Sequence, residues 1–351
     1  MKILLIGNSA PSHLGGAYYR ALLSLGFDVC FVDELAAFGW WDRQAFSSFV
    51  QRIRGHLPTR VTAFNQIVLD AARRYSPDLI LSVKGSYLKP ETIGELKQTS
   101  RALLVNYSTD NPFNPAASTR YVRNSLPLWD IYVTPRAHTI HELEQHCKGA
   151  ILYLPFGYDP EFHFPEQQIS TEEARRFTSE LTFIGTCDQD RVEILRFLAS
   201  QDVSVRLFGG GRRYRLIKAL RRRHSGPVTG REYRLAMNCS KIVLSLNRKA
   251  NRDTHVMRTF EVPACGSFML AERSEEQLAM FVEDQEAVFF SGAEELWEKA
   301  RYYLAHDDLR RRIAHAGFHR VTTGRNTYRD RLSVLMEQLA GRRRSPAGRY
   351  P

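Results

Sequence analysis

Short apolar runs alternate with amphipathic stretches along almost the whole chain. In the first half the runs are Lys2–Ile6, Asp28–Val32, Asp78–Val83, Ala102–Tyr107, Asp130–Thr134 and Ala150–Leu154. Between them, apolar positions recur at helical spacing over Gly16–Leu25, Val61–Tyr75, Pro90–Thr99 and Ala137–Cys147, with Gly26 and Gly149 standing where helix C-caps fall. The second half repeats the rhythm. Its runs are Glu180–Ile184, Val203–Phe208, Lys241–Leu246, Ser267–Leu270 and Ala287–Phe290, and its helical stretches include Arg191–Ser200, Arg212–Arg223, Arg231–Asn238 and Thr254–Cys265. Strands that alternate with helices predict parallel sheets wound on both faces. The fold class read from this pattern is α/β, with two Rossmann-like doubly wound domains facing across a cleft. The first covers 1–155 and the second 174–325. The segment 156–173 opens with Phe156-Gly157-Tyr158-Asp159-Pro160 and carries the breakers expected of a linker. Beyond Ala293 the pattern stays helical, and a terminal helix is expected over 326–340, before a basic tail, 341–351, expected to be disordered.

Ligands of open parallel sheets bind beyond the carboxyl ends of the strands, so the residues that follow each run are the candidates. After the first run, His13 precedes Gly15 and Gly16, which open a helix; glycines there let backbone N–H groups approach an anion, and His13 is a candidate acid/base. After the fourth comes Asp110, placed to orient or deprotonate an acceptor hydroxyl, although a turn before Pro112 explains it equally well. In the second half, Gly185 and Thr186 with Arg191 one turn into the next helix form a candidate diphosphate grip. Gly209 and Gly210 allow close approach to a nucleotide or simply make a turn. A polar loop then runs from Asn247 and Arg248 to Asp253 and Thr254, where a helix is expected to begin. Arg258 and Glu261, three apart, share one face of that helix, and Thr259 lies between them.

Composition narrows the picture further. No apolar run approaches the ~20 residues of a membrane span, and Met1–Gly7 is shorter than a signal h-region, so a cytoplasmic protein is expected. The five cysteines, Cys30, Cys147, Cys187, Cys239 and Cys265, form no CxxC pair, which argues against a zinc site or a disulfide framework. The formal charge of +11 suits phosphate-bearing ligands, an anionic membrane surface or nucleic acid. Nucleic acid is set lower, because charge alone does not account for paired sheets with glycine-ended strands. The basic stretch Arg212–Arg223 could touch anionic lipid, which would place the protein peripherally at the inner membrane face, or could be an ordinary exposed helix. His141-Glu142-Leu143-Glu144-Gln145-His146 is not a zinc-protease motif, since its histidines are five apart.

Arg258-Thr259-Phe260-Glu261-Val262-Pro263-Ala264-Cys265-Gly266, Glu294-Glu295-Leu296, Arg301-Tyr302-Tyr303-Leu304 and Ile313-Ala314-His315-Ala316-Gly317 resemble the glycosyltransferase domain of the CgeB/YkvP-like spore-protein family, within the GT-B group. The linker beginning at Leu154-Pro155 is similar to the interdomain segment of many GT-B enzymes. The resemblance implies a transferase that moves a sugar from a nucleotide-sugar donor to a glycan, lipid or protein acceptor. It implies Glu261 on the ribose hydroxyls and Asp253 at a sugar-binding position. It also implies Arg191, Arg248 and Arg258 as the charge that stabilises the departing diphosphate, with no metal and no cofactor beyond the donor itself. Asp188-Gln189-Asp190 satisfies DxD in form but sits at an expected helix start. Two other readings are a nucleotide-sugar epimerase of the same fold and a non-catalytic spore or envelope structural protein.

Overall fold

The computed structural model describes residues 1–43 and 57–343. The chain divides into two compact units, Met1–Pro155 joined by the segment from Tyr328 onward, and Phe156–Thr327.

In unit 1 the strands are β1 (Lys2–Gly7), β2 (Asp28–Asp33), β3 (Leu79–Val83), β4 (Leu103–Tyr107), β5 (Ile131–Thr134) and β6 (Ala150–Tyr153). They form one sheet in the order β2-β1-β3-β4-β5-β6, and every pairing is parallel. The register sets Ile3 beside Val29 on one side and beside Leu79 on the other. The helices are α1 (Leu14–Ser24), α2 (Val61–Tyr75), α3 (Pro90–Thr99), α4 (Arg120–Ser125) and α5 (Ile140–Glu144). Leu4, Ile6, Ile80 and Leu104 pack with Phe64, Val68 and Ile93 from the helices. Burial on both faces explains why these strands read as continuous apolar runs rather than alternating ones.

Unit 2 has helices α6 (Thr171–Phe177), α7 (Gln189–Ala199), α8 (Arg212–Leu216), α9 (Lys218–Arg221), α10 (Gly230–Asn238), α11 (Arg258–Ala264), α12 (Glu275–Met280), α13 (Ala293–Ala305) and α14 (Asp307–Thr323). Its strands are β7 (Ser179–Ile184), β8 (Val205–Phe208), β9 (Ser240–Ser245), β10 (Met269–Glu272) and β11 (Val288–Phe290). They pair in parallel in the order β11-β10-β9-β7-β8. The last helix, α15 (Tyr328–Arg343), belongs to unit 1, where the ring of Tyr328 meets that of Tyr18 on α1 edge-on at 5.6 Å.

Both sheets reverse direction once. In unit 1 the chain steps from β1 to β2 and then crosses to β3 on the far side of β1. In unit 2 it steps from β7 to β8 and then crosses to β9 on the far side of β7. Adjacent loops diverge at such points and leave a crevice at the carboxyl ends of β1 and β3, and of β7 and β9.

Several expectations change in detail. Residues 156–173 are packed into unit 2, with Phe156, Tyr158 and Asp159 buried and α6 among them. The stretch Arg212–Arg223 is two short helices broken at Ile217, whose backbone is extended. The helix expected from Thr254 begins at Arg258, because a 3-10 turn at Lys249–Asn251 ends in Arg252 with a left-handed φ of 55°. Gly26 does follow α1 with φ 80°. Gly149, by contrast, is needed for a close approach: a Cβ there would lie 2.3 Å from the carbonyl oxygens of Trp129 and Asp130. The tail from residue 344 onward lies outside the described residues. Among these, no helix is long and apolar enough to cross a membrane.

Candidate functional site

The crevice of unit 2 is organised by Arg191. Asp188 caps α7, its carboxylate accepting from the Arg191 N–H, and this sets the side chain of Arg191 under the ends of both neighbouring strands. Nη1 donates to the Thr186 carbonyl after β7 at 3.0 Å, and Nη2 to the Leu246 carbonyl after β9 at 2.5 Å. The guanidinium thus bridges the reversal point itself. Burial, followed by the nearby positive charge of Arg258 and with a smaller contribution from Arg248, pushes Arg191 down to about 10. Three arginines therefore converge, faced by the carboxylates of Asp188, Asp253 and Glu272, the last of which accepts from the Asn247 N–H.

Four buried polar atoms of this unit, Arg191 Nε, Arg258 Nε, Asn247 Oδ1 and Ser245 Oγ, have no hydrogen-bond partner among the described residues. Buried polar groups are nearly always satisfied, and an unsatisfied one costs about 1–3 kcal/mol, so these four atoms are candidates for contact with a ligand or water. No ion pair to Arg258 is found among the described residues, whereas Arg248 Nε lies 3.4 Å from Asp253 Oδ2. Asp253 also accepts from Asn251 Nδ2 at 2.7 Å, so it shapes the loop that carries Arg248.

Glu261 sits on α11, one turn beyond Arg258. Its Oε2 accepts from the Tyr233 hydroxyl of α10 at 2.5 Å, and its Oε1 lies 3.6 Å from His163 Nε2. Burial and the neighbouring Glu261 hold the Tyr233 hydroxyl well above the ordinary phenol range, so Tyr233 keeps its proton as a donor. Pro263 lies in the last turn of α11, which ends at Ala264, with Gly266 following at φ 69°.

Other predicted residues do different work. Thr259 is fully enclosed, its hydroxyl donating to Gln277 Oε1 and accepting from the Val256 N–H, so it braces α11 rather than facing a ligand. Thr254 donates to Glu276, which also accepts from His255 Nδ1 at 2.8 Å; His255 Nε2 accepts from the Phe156 N–H at 3.2 Å. Gly209 is required by its approach to Gly185: a Cβ on Gly209 would lie 2.2 Å from the Gly185 carbonyl oxygen, which accepts from the Tyr214 hydroxyl, whereas one on Gly185 would meet the Phe183 ring at 2.9 Å. Gly210 alone of the three lies against open space. In unit 1, a Cβ on Gly15 would meet Asn8 O at 2.4 Å and one on Gly16 would meet Ala10 O at 2.7 Å. Those glycines serve the packing of α1 against the loop after β1.

At the reversal point of unit 1, Lys84 follows β3 with a left-handed φ of 76° and its ammonium lies 3.0 Å from Asp110 Oδ2. His13 stands at the start of α1, its pKa lowered by partial burial and then by the Lys84 charge. Glu34, just beyond β2, is buried with Oε1 unpartnered; burial raises it to about 7, against the pull of Lys84. Asp110 and His13 were legible from position. Lys84 and Glu34 were not, although the rule that singled out residues after β1 and β4 points equally to those after β2 and β3. Tyr233 and His163 carried no motif signal.

Among the described residues, no group of three or more His, Cys, Asp or Glu side chains gathers as metal ligands would, and Asp188 of the DxD triplet serves as the α7 cap.

Residues 191–337 match the family described as glycosyl transferase-like. No curated protein matches the chain in sequence. Sucrose-phosphate synthase from Thermosynechococcus elongatus superposes with a TM-score of 0.68 at 14% identity, over 97% of this chain and 99% of that one. Anabaena HepE in complex with UDP-glucose superposes at 0.64 and 13%, over 97% and 100%. A UDP-N-acetylglucosamine 2-epimerase, so described, from Listeria monocytogenes superposes at 0.56 and 13%, over 99% and 98%. These likenesses give the fold of the whole chain, and the family match gives the nature of the second unit. Residues 191–337 thus match a glycosyl transferase-like domain, within a chain that has the two-unit GT-B fold of these structures.

Proposed function

We propose that the protein transfers a glycosyl group from a nucleoside-diphosphate sugar to an acceptor hydroxyl, with arginine rather than metal charge holding the diphosphate. The observation that carries this reading is the convergence of Arg191, Arg248 and Arg258 at the β7/β9 reversal point, with Arg258 Nε buried and unpartnered. Burial and then mutual repulsion lower the pKa of Arg191, and an arriving anion would relieve the repulsion. Arg258 and Arg248 are assigned to the diphosphate. Arg191 is a positioning residue, since its Nη atoms are engaged on backbone carbonyls. Glu261, braced by Tyr233 and His163, is assigned to the ribose hydroxyls. That HepE is described with UDP and with UDP-glucose supports this class of donor.

As the anomeric carbon–oxygen bond breaks, the departing diphosphate gains charge and the arginine cluster stabilises it in place. The acceptor oxygen bonds to the anomeric carbon and its proton passes to a base. Asp110, ion-paired with Lys84, is the carboxylate assigned to that proton, and His13 to acceptor contact. The narrower kinship with the CgeB/YkvP-like family rests on the motif from Arg258 to Gly266 and remains part of this proposal.

The test is a thermal-shift panel of UDP, GDP, dTDP, ADP and CMP on the wild type and Glu261→Ala. Ligand at about 100 times its Kd adds ~2.7 kcal/mol of stability. One nucleotide should raise the wild-type Tm by a few degrees and the variant's by less; no shift with any of them in two folded proteins would overturn the donor site. The fold is shared with an epimerase, and product analysis separates the two activities, because an epimerase alters the sugar nucleotide without any acceptor.

A further inference from the structure

Residues 203–231 contain no aspartate or glutamate, but nine arginines and lysines. The middle of this stretch folds as α8 and α9, which leave Arg213, Arg215, Lys218, Arg221 and Arg222 exposed. None of these five makes an ion pair among the described residues. Leu216 stands in their midst at 73% exposure, the most exposed large apolar side chain among the described residues. The break at Ile217 gives the pair of helices this form: Tyr214 and Leu220 turn inward and are fully buried, and the charged positions with Leu216 turn outward.

We propose that α8 and α9 form a docking surface for an anionic lipid membrane, with Leu216 entering the headgroup layer and the five cations resting on lipid phosphates. Charge complementarity requires an anionic partner, and the exposed leucine selects lipid among anionic partners. A phosphate backbone offers nothing to an isolated leucine. A single-stranded nucleic acid calls for exposed aromatic platforms, and both Phe208 and Tyr214 of this stretch are buried, Tyr214 against His224 at 4.3 Å. Cations around a protruding apolar side chain are the form of an interfacial membrane contact. The surface adjoins the donor crevice, since the Tyr214 hydroxyl donates to the Gly185 carbonyl at 2.8 Å. Docking there would bring the transferase to acceptors held at a membrane.

The test is sedimentation of the full-length protein with vesicles of phosphatidylcholine alone or with about one third phosphatidylglycerol, at low and high salt. Wild type is expected to sediment with the anionic vesicles at low salt and to stay in solution with the neutral ones. Each cation near an anionic surface is worth about fivefold in partitioning. The triple variant Arg215→Glu/Lys218→Glu/Arg222→Glu, with its basic tail intact, should therefore lose binding at least a hundredfold, and Leu216→Ser severalfold. Unchanged melting curves and an unchanged nucleotide-induced shift would show that fold and donor site survive. Arg101→Glu, an exposed charge reversal in unit 1, should change vesicle binding little. The proposal is overturned if wild type ignores anionic vesicles at low salt, if the triple variant binds like wild type, if Arg101→Glu weakens binding as much, or if the protein binds duplex DNA but not vesicles.

Discussion

The Tyr233 hydroxyl donates a 2.5 Å hydrogen bond to Oε2 of Glu261, joining α10 to α11. The bond directs the carboxylate without neutralising it, because Tyr233 keeps its proton. Tyr233→Phe should weaken binding of the matching nucleoside diphosphate roughly tenfold, the worth of one hydrogen bond to a charged group. Titration calorimetry would also show that a 2′,3′-dideoxy analogue, which loses affinity on the wild type, loses little on the variant. An equal loss for both ligands would mean that Tyr233 acts on stability and not on ribose recognition.

Arg191 and Arg258 should separate folding from binding. Arg191→Ala leaves the carbonyls of Thr186 and Leu246 without their donor, at a cost of about 2–5 kcal/mol. Arg258→Ala removes a group whose buried Nε has no partner, so denaturant unfolding should change by less than about 1 kcal/mol. Its diphosphate affinity should fall at least tenfold, while affinity for the bare nucleoside holds. If the two effects exchange places, the roles given to these arginines are reversed.

Adjacent glycines provide a backbone test. Gly209→Ala would set a Cβ 2.2 Å from the Gly185 carbonyl oxygen at φ 125°, and should destabilise unit 2 by several kcal/mol. Gly210→Ala meets nothing within 4 Å and should leave Tm almost unchanged. Equal melting temperatures for the two variants would contradict the close approach of the β7 and β8 loops.

Glu34 gives unit 1 a pH signature. Burial raises its pKa from the model-peptide range to about 7, with Lys84 lowering it and Asp33 raising it. A carboxyl whose folded pKa is raised contributes its full stability below the unfolded value and loses it as pH climbs toward 7. Relative to wild type, Glu34→Gln should therefore gain stability between about pH 4.5 and 8, by up to about 3 kcal/mol. Chemical denaturation at several pH values checks the sign; a difference that does not vary with pH would mean that Glu34 is ionised throughout.

The central strands were legible because both faces of a parallel sheet are buried and such strands are apolar along their length; the edge strands β2 and β6 are only partly buried and were legible from their alternation with helices. Val61–Tyr75 and Pro90–Thr99 were legible to the residue, from amphipathic spacing and from proline at the first turn. Thr254–Cys265 was not, because a left-handed Arg252 and the hydrogen bonds of Asn251 and Asp253 hold the loop away from helix. The arginine cluster could be found from position after strands. Its division of labour could not, since the carbonyl held by Arg191 Nη2 belongs to a residue 55 positions away. Tyr233 and Glu261 are 28 positions apart and on different helices, a pairing that only tertiary structure creates.

Because α15 completes unit 1 from the far end of the chain, unit 2 is in topological terms an insertion between Pro155 and Tyr328. A ribosome releases all of Phe156–Thr327 before the helix that closes unit 1 is made. Unit 2 can therefore fold during synthesis, while unit 1 waits with the α1 surface uncovered until α15 emerges. Of the two units, the one that begins earlier along the chain is therefore completed later.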